Sequence, residues 1–300
     1  MKIGFLGAGE MGAALARCLA DAGHRCLAVP HGRSLETRDR MEEAGMVPVP
    51  DLATLIATAD CLFSVLPPSA ADEEAGRVVE AVREQDRRLV FVEANAIAPG
   101  RVRRIAEKFA PGPARLVDAG IVGAPPSRSS RPRLFVSGPE AERLSELDGP
   151  AFDLRLLGPD IGTASAFKMV YAALTKGNNT LLTAVLLAGE AAGLSDALVR
   201  ELSSSQAQLL AKAETNVPRL PADAGRWIFE MQEIADTFGS LGLPTGFHQA
   251  AAEIMTLLAG SEFGSETRRT RDRNRTAAET IRTLARNLPG ETGKPSSRST

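Results

Sequence analysis

Along the first half of the chain, short apolar runs alternate with stretches whose apolar positions recur at helical spacing. The runs fall at residues 3–6, 26–29, 61–66, 89–92, 116–118 and 134–137. Brief, fully apolar segments bounded by glycine, proline or charge predict the buried strands of a parallel sheet. After the first run, Met11, Leu15, Cys18, Leu19 and Ala22 lie on one helical face, and Gly23 follows as a stop. Strand and helix repeated in this way predict a doubly wound, mostly parallel α/β sheet. Past residues 155–162 (RLLGPDIG) the pattern changes. Residues 164–192 are Ala- and Leu-rich over the length of one long helix, and helical periodicity continues at 197–214, 226–239 and 247–259. The pattern predicts an α/β domain over 1–160, an all-α domain over 161–288 and a disordered polar tail over 289–300. No internal repeat is present.

Composition narrows the function classes. In 300 residues, 44% hydrophobic and 24% charged with a net charge of −2, nothing favours a uniformly basic nucleic-acid binder. Three cysteines without CxxC spacing read as reduced thiols of a cytoplasmic protein. With only three histidines, no metal site is expected. No long uncharged apolar run predicts a membrane span, and the glycine-broken start does not resemble a signal peptide.

Between the first strand and the first helix lie Gly7, Gly9 and Gly12, a GxGxxG pattern in the setting that gives it meaning. The first glycine permits a tight turn, the second lets backbone approach a pyrophosphate, and the third lets helix and strand pack closely. The helix N-terminus adds free N–H groups and a positive dipole end. A Rossmann-type dinucleotide-binding domain is therefore expected. The second strand is followed by Pro30-His31-Gly32-Arg33-Ser34, with no acid before Glu36 to hold a ribose 2′-hydroxyl. Arg33 can grip a 2′-phosphate and Ser34 can add a hydrogen bond, which predicts NADP over NAD.

At this point the chain resembles the β-hydroxyacid dehydrogenases, the group that includes 3-hydroxyisobutyrate dehydrogenase and 6-phosphogluconate dehydrogenase. GFLGAGEMGAALARCLADAGH is similar to their cofactor motif, so Ala8, Glu10 and Met11 join the three glycines as expected cofactor neighbours. FSVLPP, with Leu66 and Pro67, falls where the family has a strand ending beside the cofactor; VEANAIAP carries Asn95 at the position of an Asp-x-Ser-Thr segment. VDAGIVGAPP is similar to the substrate loop, whose serine position holds Val122, followed by Gly123. GPDIGTASAFKMVYAALTKGNN is similar to the segment with the catalytic lysine, which falls on Lys168. The family's later asparagine falls on Ala172 and its Lys-Asp pair on Gln232-Glu233. These departures, with RWIFEMQEIA, resemble a subgroup with its own helical C-terminal domain.

The resemblance implies hydride transfer between a nicotinamide cofactor and a small β-hydroxy acid or related alcohol, with Lys168 as general acid and base. Lys168, Tyr171, Thr175 and Asn179 share one face of the expected helix, and a polar stripe on an Ala/Leu helix calls for a reason. Tyr171, Thr175 and Glu233 are accordingly candidate substrate neighbours. Arg128, Arg131 and Arg133 follow the substrate loop, where an anion could be bound or a basic loop solvated. The run TRRTRDRNR (267–275) reads as a solvated face. The long helix offers apolar surface to a second subunit, so a homodimer is expected. An imine reductase-like enzyme and a non-catalytic NADP-binding module are the rival readings.

Overall fold

A computed structural model describes residues 1–127 and 129–288. Arg128 and the expected tail at 289–300 lie outside the described residues. The chain divides into two compact units. The first takes Met1–Ala172 and Glu233–Pro244; the second takes Ala173–Gln232 and resumes at Thr245.

The first unit alternates as the hydrophobic pattern predicts: β1 (Lys2–Phe5), α1 (Glu10–Asp21), β2 (Arg25–Ala28), α2 (Leu35–Glu43), β3 (Val47–Pro48), α3 (Leu52–Thr58), β4 (Cys61–Ser64), α4 (Ala71–Glu84), β5 (Val90–Glu93), α5 (Pro99–Phe109), β6 (Arg115–Val122), β7 (Arg133–Ser137) and β8 (Asp153–Leu156). The strands form one sheet in the order β3-β2-β1-β4-β5-β6-β7-β8. All neighbours are parallel except β6 and β7. Two strands went unpredicted. β3 is two residues long and ends in proline, and β8 is an edge strand with half-exposed and exposed residues, so neither carries a readable apolar period.

Successive side chains along each strand point to opposite faces. Phe5, Phe63, Val92 and Val117 build one buried core with α1. Leu62, Phe91 and Leu116 build the other with α3, α4 and α5. Gly4 leaves room there: a Cβ on it would stand 2.7 Å from Leu62 Cδ1. Cys26 and Cys61 are buried free thiols, which burial pushes up to about 11 and 12, so they stay protonated.

α6 (Thr163–Ala191) begins in the first unit and continues into the second. Then follow α7 (Ser195–Ser205), α8 (Ala207–Asn216), α9 (Pro221–Ser240), α10 (Gly246–Ala259) and α11 (Ala277–Arg286). The second unit packs Leu187, Val217, Leu220, Met255, Leu258 and Ile281 into one core. Lys176 pairs with buried Glu230 and lies 5.0 Å from the Trp227 ring centroid. The arginine-rich run is not uniformly solvated. Arg275 is buried, grips Glu266 with two hydrogen bonds of 2.6 and 2.7 Å and stacks over Phe263, while Arg268 holds Asp223. Such desolvated, bidentate pairs fix loops in place.

Candidate active site

The site is built on the carboxyl ends of the parallel strands, where an open α/β sheet binds ligands. At the first of these, β1 turns into α1 through residues 6–9. A Cβ on Gly7 would stand 2.2 Å from the Val65 carbonyl oxygen, and one on Gly12 would stand 2.2 Å from the Gly7 carbonyl oxygen. Both glycines are required by packing. Gly9 differs: a Cβ there would meet nothing within 4 Å. Gly9 is the N-cap of α1, no side chain caps the helix, and the first turn presents backbone and a positive dipole end. The loop therefore fits a dinucleotide pyrophosphate. Ala8 is buried beneath it, Glu10 is exposed, and Met11 packs on the α1 side of the sheet.

Arg33 stands beside this loop. Its Nη2 donates to the Leu6 carbonyl at 2.9 Å, which tethers the guanidinium at the exit of β1. His31 is exposed and Gly32 takes φ +73, the turn that brings Arg33 round. Ser34 caps α2, its hydroxyl accepting from the Thr37 N–H at 3.3 Å.

At the ends of β4 and β5, Asn95 joins the two strands. Its Oδ1 accepts from the Leu66 N–H at 2.5 Å and its Nδ2 donates to Ser64 Oγ at 2.9 Å. Leu66 and Pro67 thereby sit next to the glycine loop, since a Gly7 Cβ would also press on Leu66. Lys168, half-buried in the second turn of α6, donates to the Asn95 carbonyl at 3.1 Å and the Ala94 carbonyl at 3.4 Å.

Two features carry α6 close enough for this contact. Gly120 has no side chain where a Cβ would stand 2.8 Å from the Ala164 carbonyl and 2.9 Å from Lys168 Cβ. Asp118, wholly buried, accepts from the Gly162 N–H (2.9 Å), the Ser165 N–H (3.0 Å), Ser165 Oγ (2.5 Å) and Ser137 Oγ (3.1 Å). A carboxylate at a helix start is favourable to the dipole as well as to the orphan N–H groups. Sequence reasoning passed over Asp118, Gly120 and Glu93. The Asp-Ala-Gly spelling was visible, but only the strand register reveals which helix it meets.

The other expected neighbours are placed as follows. Val122 is buried and aliphatic, and Gly123 turns the chain at φ +127. Tyr171 is half-exposed; its ring is 6.4 Å from Phe167 and 5.9 Å from the Arg133 guanidinium. Thr175 and Asn179 belong to the second unit, where Asn179 Oδ1 accepts from Asn216 Nδ2 at 3.0 Å. Glu233 has both oxygens engaged, one by Arg101 Nη1 at 2.5 Å and one by the Ala98 N–H at 2.7 Å. Glu233 thus holds the N–H of Ala98, the residue that precedes α5, and closes an ion pair with Arg101, which also holds Asp72. Arg131 is likewise paired, with Asp153 at 3.2 Å. Among the described residues no group of side chains could hold a metal ion, and no helix is long and apolar enough to cross a membrane.

Residues 2–148 match the family described as the NAD binding domain of 6-phosphogluconate dehydrogenase, and residues 190–258 match a domain of unknown function (DUF1932). An uncharacterized 28.5 kDa protein of Methanothermus fervidus is 26% identical over 207 residues, 69% of this chain and 78% of that protein. The mitochondrial 3-hydroxyisobutyrate dehydrogenase of Drosophila melanogaster is 26% identical over 148 residues, 47% of this chain and 43% of that enzyme. A solved structure of a conserved protein of unknown function, described as structurally similar to 3-hydroxyacid dehydrogenases, is 25% identical with a TM-score of 0.65, covering 86% of this chain and 97% of its own.

Proposed function

We propose that this chain, whose residues 2–148 match the NAD binding domain of 6-phosphogluconate dehydrogenase, is an NADP-dependent oxidoreductase acting on a small β-hydroxy acid or related alcohol and its carbonyl. One observation carries the reading. A lysine is fixed by two backbone carbonyls at the carboxyl end of β5, on strands tied through Asn95 and Leu66 to the bare Gly9 turn.

The cofactor, when bound, supplies the hydride chemistry. Gly9 and the first turn of α1 would hold its pyrophosphate, and Arg33 its 2′-phosphate. The proton is the business of Lys168. In carbonyl reduction its ammonium stabilises negative charge developing on oxygen and donates the proton at Nζ; in alcohol oxidation the neutral amine accepts the hydroxyl proton. The Ala94 and Asn95 carbonyls aim the lysine. Val122 lends the pocket an aliphatic wall, which keeps an imine open as a second substrate class. α6 leaves Val170, Leu174 and Leu181 exposed, which supports a homodimer formed through this helix.

The test is a panel of hydroxy acids, phosphorylated hydroxy acids, amines and imines with NADP(H) and NAD(H), followed at the nicotinamide absorbance for the parent and Lys168→Ala. Turnover of a hydroxy acid that collapses in the variant supports the reading. Undiminished turnover in Lys168→Ala removes the role given to the lysine, and turnover of imines alone moves the enzyme to the other class.

A further inference from the structure

One face of the sheet carries a buried polar row. Ser64 of β4, Glu93 of β5, Asp118 of β6 and Ser137 of β7 are register partners across four neighbouring strands. None is more than 1% exposed. Three of them are well provided. Ser64 accepts from Asn95, Asp118 has its four donors, and Ser137 donates to Asp118 while accepting from the Ala164 N–H at 3.0 Å.

Glu93 is different. Its Oε1 accepts one hydrogen bond, from the Asn95 N–H at 2.9 Å, and its Oε2 is sealed from solvent with no hydrogen-bond partner. A carboxylate in that setting loses its hydration and regains little, whereas a neutral carboxyl loses far less. Asp118, with four donors, is the member of the row equipped to carry charge. The charged groups that face Glu93 are Asp118 from β6, Lys168 from α6 and Arg101 from α5; β4 contributes only Ser64. Burial and, less strongly, the Asp118 charge push the Glu93 carboxyl up to about 8, against the Asn95 N–H, Lys168 and Arg101, which pull it down.

The residue immediately after Glu93 is Ala94, whose carbonyl, with that of Asn95, accepts from Lys168 Nζ. Asp118 and Gly120 face the same side, and α6 lies over Gly120. Glu93 therefore sits beneath the lysine's mount. We propose that Glu93 is a positioning residue for Lys168, holding a proton of its own beneath the lysine so that Lys168 faces a neutral neighbour while it gives or takes the proton of the reaction. No proton passes between the two. A buried anion at Glu93 would hold Lys168 as a fixed ammonium and disable it as a base. The inference rests on the reading of Lys168 as the proton carrier, and its test separates the two.

Glu93→Gln reproduces the neutral carboxyl at every pH. The Lys168 titration is read without substrate, as the pH dependence of its labelling by an amine-acylating reagent followed by peptide mass spectrometry. The expected result is a Lys168 transition that coincides in variant and parent, because the parent carboxyl is already neutral and glutamine removes no anion. In turnover, the acid limb of the alcohol-oxidation profile, below which the lysine is an ammonium, likewise stays in place with little change in KM. A transition lower by about one unit or more in the variant overturns the proposal, since it would show that the parent carries an anion beneath the lysine. Should the variant fail to fold, infrared spectra of the parent with ¹³C-labelled glutamate decide the matter: a protonated glutamate carboxyl at pH 7 supports it, and its absence overturns it. If no panel substrate turns over while the two Lys168 transitions coincide and the parent shows a protonated glutamate carboxyl, the proposed function falls and the positioning role stands.

Discussion

The two ends of the candidate site are made by opposite means. At β1 the site is made of missing side chains: Gly7 and Gly12 are forced by neighbours at 2.2 Å, and Gly9 opens onto free space. At β5 and β6 it is made of buried polar side chains, Glu93, Asn95 and Asp118, that hold a lysine by hydrogen bonds to backbone. The first kind of site would bind through N–H groups and a helix dipole, whose properties are independent of pH. The second would act through groups that titrate. A change of pH should therefore act on one end and leave the other untouched.

The comparison is broken most severely at the lysine. Lys168→Ala should lower kcat by about 10²–10⁴, the range of a lost general acid–base group, with the dissociation constant for NADPH nearly unchanged. Loss of cofactor affinity on the same scale would mean that the two ends are not separable.

Next in size is a stability effect at Glu93. Its carboxyl is raised from 4.5 to about 8 in the folded protein. Between those values the native state binds more protons than the unfolded state, so stability falls as pH rises through this window and the loss is complete above about 8. Glu93→Gln should remove that slope and gain on the order of 5 kcal/mol at pH 9 relative to the parent. Urea midpoints measured from pH 5 to 9 read this directly, and parallel curves for the two proteins would refute it.

The glycines sharpen the other side. Gly7→Ala forces a methyl against the Val65 carbonyl and should destabilise the fold by about 1–3 kcal/mol. Gly9→Ala meets no protein atom, so its thermal midpoint should match the parent while NADPH affinity falls about tenfold, some 1.4 kcal/mol. Calorimetry and cofactor titration on the same pair tell packing glycine from binding glycine. The smallest effect is expected at Arg33. Arg33→Ala should weaken NADPH by about 1–2 kcal/mol, the worth of one charge-assisted contact, and leave NADH unchanged. Equal losses for both cofactors would reassign Arg33 to the support of Leu6, to whose carbonyl it already donates.

These two ends also differed in how far they could be read from sequence. The glycine turn is a local pattern, complete within residues 7–12, so strand, turn and helix were legible together. Lys168 was reached through the family resemblance and the polar face of its helix, and the structure adds the carbonyls that hold it. The buried row was not legible, because Ser64, Glu93, Asp118 and Ser137 are far apart in sequence and meet only through register. The setting of Glu233 was not legible for a related reason. Its partner Arg101 lies 132 residues away, and nothing in the spelling of either segment announces the pair. β3 and β8 escaped because two residues or a polar edge leave no period to find.

The clamp of Asp118 on the start of α6 has a consequence for motion. The N–H groups of Gly162 and Ser165 are bonded to one buried carboxylate that belongs to a central strand. Freeing them requires the first turn of the helix to part from the sheet, so fraying at this terminus is suppressed. Lys168 is thus carried on a helix end that behaves as part of the sheet.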